Sequence, residues 1–235
     1  MILAVIQARM SSTRLPGKVL KDVLGKPMVV RQLERISRSQ LIDQIIVATS
    51  TEPSDDPLAE AVSAAGFNVF RGSLDDVLSR FQNLRNSLNP THIVRLTADC
   101  PLTDHEVIDQ IIGQHIETKV DYTSNVIDRT FPRGLDAEVF TVAALDRLTE
   151  LDLSADEHEH VTLGFYKRQG EFTLTNFAGA KNNSHLRWTV DNPEDYEFAL
   201  WVYSELHPTK PDFNSADILQ LLDKHPERIL IEDGH

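Results

Sequence analysis

One cysteine in 235 residues, Cys100, rules out an internal disulfide and any zinc site built from several thiolates. Such scarcity is expected of a protein kept in a reducing cytoplasm. Cys100 itself is either a small buried residue or a catalytic thiol. No apolar run approaches the roughly 18 residues that a membrane-crossing helix needs, and Met1 to Ile6 is too short for a signal peptide and leads at once to Gln7 and Arg9. Bases are in the minority, 23 Lys and Arg against 36 Asp and Glu, so a net charge of −13 argues against a general basic coat for nucleic acid. Disorder is excluded by the 41% of apolar residues, which are spread along the chain. A chain of this size buries about 70–75% of the surface it exposes when unfolded, enough for one large core without disulfides or a structural metal.

The few positive charges are concentrated. Residues 1–40 hold eight cations (Arg9, Arg14, Lys18, Lys21, Lys26, Arg31, Arg35, Arg38) against Asp22 and Glu34, so this stretch is +6 and the remainder −19. Arg31, Arg35 and Arg38 are expected on the wet face of a helix, whereas Arg9, Arg14 and Lys18 lie in a segment without period. Short apolar runs alternate with amphipathic stretches, the pattern of a mostly parallel α/β sheet of Rossmann-like type with helices on both faces. Strands are expected at 2–6, 44–49, 68–70 and 92–97, and helices at 28–39, 56–66, 74–88 and 104–117. From 119 to 184 the alternation weakens: strands at 121–126, 138–142 and 172–177 and helices at 142–150 and 158–168 suggest a small inserted lobe or arm within a single domain spanning 1–235. A strand at 186–190, a helix from Pro193 and a helix at 215–224 complete the chain. Repeats, low-complexity tracts and linkers are lacking.

Three segments carry chemistry. Ile6 to Lys18, IQARMSSTRLPGK, follows the first strand, and in an open parallel sheet ligands bind beyond the carboxyl ends of strands. Its small and hydroxyl residues let backbone N–H groups approach phosphate oxygens, while Arg14 and Lys18 can neutralise them. It matches neither the G-x-G-x-x-G nor the G-x-x-x-x-G-K-S/T loop, which removes the main support for a dinucleotide-binding or P-loop reading; the remaining choice is a phosphate loop or an ordinary surface loop. In Arg95 to Leu102, RLTADCPL, an apolar run ends in Asp99, which either caps the next turn or supplies a carboxylate for Mg2+. In Leu186 to Asp195, LRWTVDNPED, Asp191 offers the same choice: a helix cap before Pro-Glu-Asp, or a second metal carboxylate. His158 and His160, two apart on a helix, point in different directions and do not suit one shared ion. Trp188 and Trp201 are expected in the core or at an interface.

Taken in order, IQARMSSTRLPGK (6–18), RGSLDDVL (71–78), LTADCPL (96–102), PRGLDAEVF (132–140), EHVT (159–162) and TVDNPEDY (189–196) resemble the cytidylyltransferases that activate acidic sugars. These are the acylneuraminate and 3-deoxy-manno-octulosonate cytidylyltransferases, with the spore-coat polysaccharide biosynthesis branch nearest. The resemblance implies a CTP-dependent nucleotidyltransferase that makes a CMP-sugar and pyrophosphate for surface polysaccharide biosynthesis. It places Ala8, Arg9 and Ser12 on the nucleotide, Arg14 and Lys18 on its phosphates, and Arg71, Gly72 and Ser73 near base and ribose, with Asp75 or Asp76 as further contacts. Asp99 and Asp191 would hold Mg2+, with Arg14, Lys18 and Asp99 as the catalytic set. Arg133, Asp136 and Glu138 would face the sugar, Arg133 taking its carboxylate, and Glu159 or His160 could add a sugar or subunit contact. Partners would be CTP and an acidic sugar, without nucleic acid or membrane insertion, and the arm suggests a homodimer. Two rivals remain open: a nucleotidylyltransferase acting on a sugar 1-phosphate or a phosphorylated alcohol, and a non-catalytic subunit that binds sugar nucleotides.

Overall fold

The apolar runs of the first half become the centre of one sheet in the computed structural model, which describes residues 1–168 and 170–232. β1 (Ile2–Gln7) is followed by a two-residue hairpin, β2 (Asp22–Val23) and β3 (Lys26–Pro27), and then by α1 (Met28–Ile36). The chain continues through β4 (Gln44–Ser50), α2 (Asp56–Ala64), β5 (Asn68–Gly72), α3 (Val77–Leu88), β6 (His92–Thr97) and α4 (His105–Thr118). Next come β7 (Tyr122–Ser124), β8 (Glu138–Thr141), α5 (Val142–Thr149), α6 (Ala155–Glu159), α7 (Leu163–Lys167) and β9 (Leu174–Asn176). α8 (Pro193–Leu206) and α9 (Ser215–Lys224) complete the succession.

Seven strands form the main sheet in the order β5-β4-β1-β6-β8-β7-β9. β5, β4, β1 and β6 run parallel, β8 is antiparallel to both β6 and β7, and β9 is parallel to β7. The strands from 119–184 therefore continue the central sheet. Successive side chains of β1 point to opposite faces: Ala4 and Ile6 pack with α1, α2 and α4, while Leu3 and Val5 pack with α3, α5 and Phe165 of α7. Covering both faces is what makes these parallel strands continuously apolar. The chain leaves β1 toward β4 and β5, then returns to pair β6 on the other side of β1. That reversal opens a crevice at the carboxyl ends of β1 and β6.

Several boundaries differ from expectation for local reasons. The helix expected at 74–88 starts at Val77 because the Asp76 side chain accepts from Ser79 N at 3.0 Å and caps it. α1 stops at Ile36, and the 158–168 segment splits into α6 and α7. The expected strand at 186–190 is absent. Leu186 and Arg187 make isolated bridges to Ile231 and Arg133, and the rest runs extended without a ladder. Its apolar residues are buried all the same: Trp188 and Val190 enter a third core with Leu15, Leu102, Phe198 of α8 and Ile218 of α9.

Gly134 sets the approach of this segment. Its φ is +111°, and a Cβ there would stand 2.6 Å from both Thr189 N and Trp188 C. Gly134→Ala should cost about 3 kcal/mol, lowering Tm by about 6–12 °C in scanning calorimetry. Gly113→Ala, in open space on α4, should leave Tm unchanged or slightly raised.

Candidate active site

The loop after β1 is shaped by a carboxylate that sequence reasoning had missed. Asp55, 1% exposed, accepts from Met10 N at 2.7 Å, Thr49 Oγ1 at 3.0 Å and Ser50 N at 3.2 Å, and from the Ser50 hydroxyl. Burial works to raise the Asp55 carboxyl, but the hydrogen bonds from Ser50, Met10 and Thr49 hold it below the usual carboxylate range. In the sequence, Asp55-Asp56-Pro57 looks like an ordinary helix start, so nothing distinguished it. The loop then folds back on itself: Ser12 N and Gly17 N both donate to Met10 O, at 2.9 and 3.1 Å. Leu15 is buried in the third core, and Gly17 takes φ +69°, which favours glycine. The chain thereby turns Lys18 inward.

Lys18 is the centre of the site. Its side chain is 11% exposed, and Nζ donates to Val190 O at 2.7 Å, Asp191 Oδ1 at 3.0 Å and Asp99 Oδ2 at 3.5 Å. Arg14 reaches Asp191 Oδ1 at 3.2 Å, and Arg187 Nη2 donates to Asp191 Oδ2 at 2.8 Å. Arg187 is fixed in turn by Asp195 at 2.9 Å and Glu232 at 2.7 Å. Burial pushes the Asp191 carboxyl up, but Lys18, Arg187 and Arg14 more than offset this and hold it below its ordinary value. The two acidic segments are also tied through the backbone, Val190 N donating to Asp99 O at 2.7 Å.

Neither aspartate is a helix cap. Asp104 caps α4, accepting from Glu106 N, and Asn192 caps α8 in a reciprocal box with Asp195, with Pro193 in the first turn. Both carboxylates are thus left to face one point, already filled by an ammonium. Two hard oxygen donors around a single cation suit Mg2+, which takes one or two carboxylates and completes its shell with water and phosphate. Among the described residues, no cluster of three or more His, Cys, Asp or Glu could hold a metal. Such an ion would therefore rest on Asp99 and Asp191 together with its substrate. Cys100 next door is buried, and burial together with Asp99 pushes its thiol well up, so it is protonated and a poor nucleophile.

A cleft of about 280 Å³ lies over this cluster. Ala8, Arg9, Ser12, Arg14, Lys18, Asp99 and Asp191 all line it. Arg71, Gly72 and Ser73 do not. The Arg71 guanidinium turns away to Ser50 O at 2.8 Å, Glu52 O at 3.0 Å and Asp56 at 2.7 Å. In place of that loop, Arg80 of α3 reaches the cleft. Its signal was present in the sequence: Arg80 falls three residues after Val77 and four before Leu84, on the apolar face of the helix.

Thr97 also lines a second pocket, of about 260 Å³, with Arg95, Asp136, Glu138, His160 and Tyr166. Glu138 is buried and hydrogen-bonded through both oxygens. It accepts from Thr162 Oγ1 at 2.7 Å, Tyr166 Oη at 3.0 Å, Tyr122 Oη and Arg95. Burial works against the charge of Glu138, but Arg95, Tyr122 and Thr162 hold its carboxyl low. Arg95 also donates to Gln7 Oε1 from Nε at 3.3 Å and Nη2 at 3.1 Å. Asp136 is paired with Arg129. Arg133, expected here, points instead to Glu232 at the far side of the 186–190 segment, because its backbone bridges Arg187. His158 pairs with Asp76 at 2.9 Å, Asp75 is outside both pockets, and Glu159 lies 3.8 Å from Arg9. Trp188 is in the core as expected, and Trp201 packs at its margin.

Comparisons with known proteins bear on the family and the fold. A family profile described as cytidylyltransferase matches residues 3–213. The chain is 33% identical to the spore coat polysaccharide biosynthesis protein SpsF of Bacillus subtilis over 234 residues, covering 96% of this chain and 95% of that protein. It is 38% identical to the 3-deoxy-manno-octulosonate cytidylyltransferase of Geobacter sulfurreducens over 114 residues, 48% of this chain and 44% of that enzyme. Among solved structures, a cytidylyltransferase from Leptospira borgpetersenii superimposes with a TM-score of 0.93 at 30% identity, covering 100% of this chain and 98% of that one. CMP:2-keto-3-deoxy-manno-octonic acid synthetase in complex with CTP shares the fold, with a TM-score of 0.69 at 18% identity over 87% of this chain and 98% of that one.

Lys18→Met should destabilise the protein by about 1–3 kcal/mol in urea denaturation, because Asp99 is left part-buried without its cation. Adding Asp99→Asn should recover part of that loss. Strictly additive losses would show that the two side chains are uncoupled.

Proposed function

Because the chain belongs to the cytidylyltransferase family, we propose that it couples CTP to an acidic sugar of the ulosonate or nonulosonate type, yielding a CMP-sugar and pyrophosphate for a surface polysaccharide. The observation that carries this reading is the convergence of Arg14, Lys18, Asp99 and Asp191 on one cleft at the carboxyl ends of β1 and β6. The relatives named for spore-coat polysaccharide biosynthesis and for 3-deoxy-manno-octulosonate support the choice of acceptor.

In this reading the triphosphate lies along the loop after β1. The acceptor occupies the adjoining pocket, so that Thr97, common to both, marks where its hydroxyl meets the α-phosphorus. The hydroxyl oxygen forms a bond to phosphorus as it gives up its proton; the bond to the bridging oxygen breaks, and pyrophosphate leaves with the electron pair. No covalent intermediate with the protein is needed. The chain's contribution is position and charge: Arg14 and Lys18 meet developing negative charge on the phosphates, and Asp99 and Asp191 would hold Mg2+, which when bound would neutralise the triphosphate. Lys18 exchanges its carboxylate partners for phosphate oxygens when the nucleotide binds. Glu138 positions Arg95 and Tyr166. With Arg133 turned away, an acceptor carboxylate is received by donors within the pocket, the remaining N–H groups of Arg95 and the His160 ring.

A pyrophosphate-release screen with CTP, Mg2+ and a panel of acidic sugars and sugar 1-phosphates tests the proposal. Release is expected with at least one ulosonate or nonulosonate; release with sugar 1-phosphates alone would replace the acceptor class. Lys18→Ala should lower kcat by about 100–1000-fold, and wild-type turnover in that variant would remove Lys18 from the mechanism.

A further inference from the structure

Behind Asp191 stands an arginine shared among three acids. Arg187 donates from Nη2 to Asp191 Oδ2 at 2.8 Å and Asp195 Oδ2 at 3.0 Å, from Nε to Asp195 Oδ1 at 2.9 Å, and from Nη1 to Glu232 Oε2 at 2.7 Å. Asp195 alone would balance the guanidinium, gripping it through both oxygens while also accepting from Asp191 N at 2.8 Å and Asn192 N at 3.1 Å. Glu232 is therefore a surplus acid, and its backbone is already secured: Glu232 N donates to His185 O at 2.9 Å, and Arg187 N to Leu230 O at 3.0 Å. Its carboxylate nevertheless spans two arginines, the other oxygen accepting from Arg133 in the turn that precedes Asp136. Burial pushes the Glu232 carboxyl up, but Arg187 and Arg133 hold it below the ordinary range, so it is charged at neutral pH. Neither Arg187 nor Glu232 lines the nucleotide cleft; both line a separate cavity of about 350 Å³ that shares Arg14 with it.

We propose that Glu232 is a positioning residue for Mg2+: by restraining Arg187 it keeps the charge of Asp191 available to the ion. This role rests on the proposed seat of Mg2+ on Asp99 and Asp191 beside CTP. A guanidinium free to turn would pair two of its N–H groups with both Asp191 oxygens, the bidentate geometry that arginine favours, and would cancel the charge that a divalent cation needs. Fenced by Asp195 at Nε and Glu232 at Nη1, Arg187 gives Asp191 a single hydrogen bond, to Oδ2. That bond orients the carboxylate and leaves Oδ1 toward Lys18 and Arg14, at 3.0 and 3.2 Å. A carboxylate tethered through one oxygen and offered through the other suits an ion that demands near-ideal octahedral geometry and well-oriented ligands. With no place on the cleft wall, Glu232 acts through Arg187.

Calorimetric titration of CTP into the full chain without acceptor, once in EDTA and once in saturating Mg2+, tests this by binding rather than by turnover. The ratio of the two dissociation constants measures what the ion adds to CTP binding, and in the wild-type chain it should lie well above one. Glu232→Gln keeps the shape of the side chain and removes its charge. It should lower that ratio by about 10-fold, the lower end of what losing an outer partner of a metal ligand costs, or to one if the wild-type ratio is itself below about 10, while CTP affinity in EDTA stays within about threefold of wild type. Arg187→Met, which removes the tether itself, should lower the ratio at least as far. A Glu232→Gln chain with the wild-type ratio would overturn the assignment whatever its Tm, because a mere brace for residues 229–232 changes stability and leaves the ratio alone. So would an equal weakening of CTP in both buffers. Should Glu232→Gln fail to fold, an Arg187→Met chain that keeps the wild-type ratio would overturn it independently. A wild-type ratio of one would remove the ion from Asp99 and Asp191 and this role with it, whereas no CTP binding in either buffer would strike down the cytidylyl-transfer reading as a whole.

Discussion

The structure around the cleft depends on one ammonium held between two carboxylates. Lys18, Asp99 and Asp191 come from three separate parts of the chain, and their mutual attraction brings the loop after β1, the end of β6 and the segment before α8 to one place. Like charges at Asp99 and Asp191 would repel if left alone in a part-buried cleft, so some cation is required there at every stage. The chain supplies its own, which a nucleotide with its counter-ion can take over. The site is thereby close to electrically balanced before substrate arrives, although the molecule as a whole carries −13. An acidic protein that handles a polyanion must solve this problem locally, and Arg9, Arg14 and Lys18, the cations of residues 1–40 that line the cleft, are how this chain does it.

Rigidity in the site comes from groups behind it. Asp55 fixes the loop through Met10 N, Arg187 fixes Asp191 with the help of Asp195 and Glu232, and Glu138 fixes Arg95, which also holds Gln7. Each is a buried or part-buried charge whose partners are nearly all satisfied, the condition under which such networks specify geometry. The Gln7–Arg95–Glu138 chain runs from the nucleotide cleft to the neighbouring pocket, so the two share a wall built from one hydrogen-bonded unit.

The sequence showed most of the scaffold because parallel strands covered on both faces leave uninterrupted apolar runs; β1, β4 and β6 were found within a residue or two on that basis. The same signal misled at 186–190, where Trp188 and Val190 are buried by α8 and α9 without pairing in a ladder; apolar burial alone does not distinguish a strand from an extended strap. In the site, the carboxylates and the Arg14–Lys18 loop were legible because each follows an apolar run at an expected sheet edge. Arg133 and Arg71 were misplaced because a side chain's direction is decided by partners distant in sequence or on another strand, Glu232 in one case and Ser50 and Glu52 in the other. Arg80 and Asp55 were passed over because a charged residue on a helix, or just before one, normally faces water.

Asp191 reaches Lys18 across 173 positions, and Glu232, which steadies Arg187 behind it, lies further along still. During synthesis the cationic loop therefore emerges from the ribosome long before the acid that will neutralise it. A nascent chain halted between α4 and Asp191 would display Lys18 and Arg14 with Asp99 as their single acidic counterpart in the cleft. Assembly of the working centre thus waits for the segment before α8, and translation products cut short of it carry an unbalanced positive mouth.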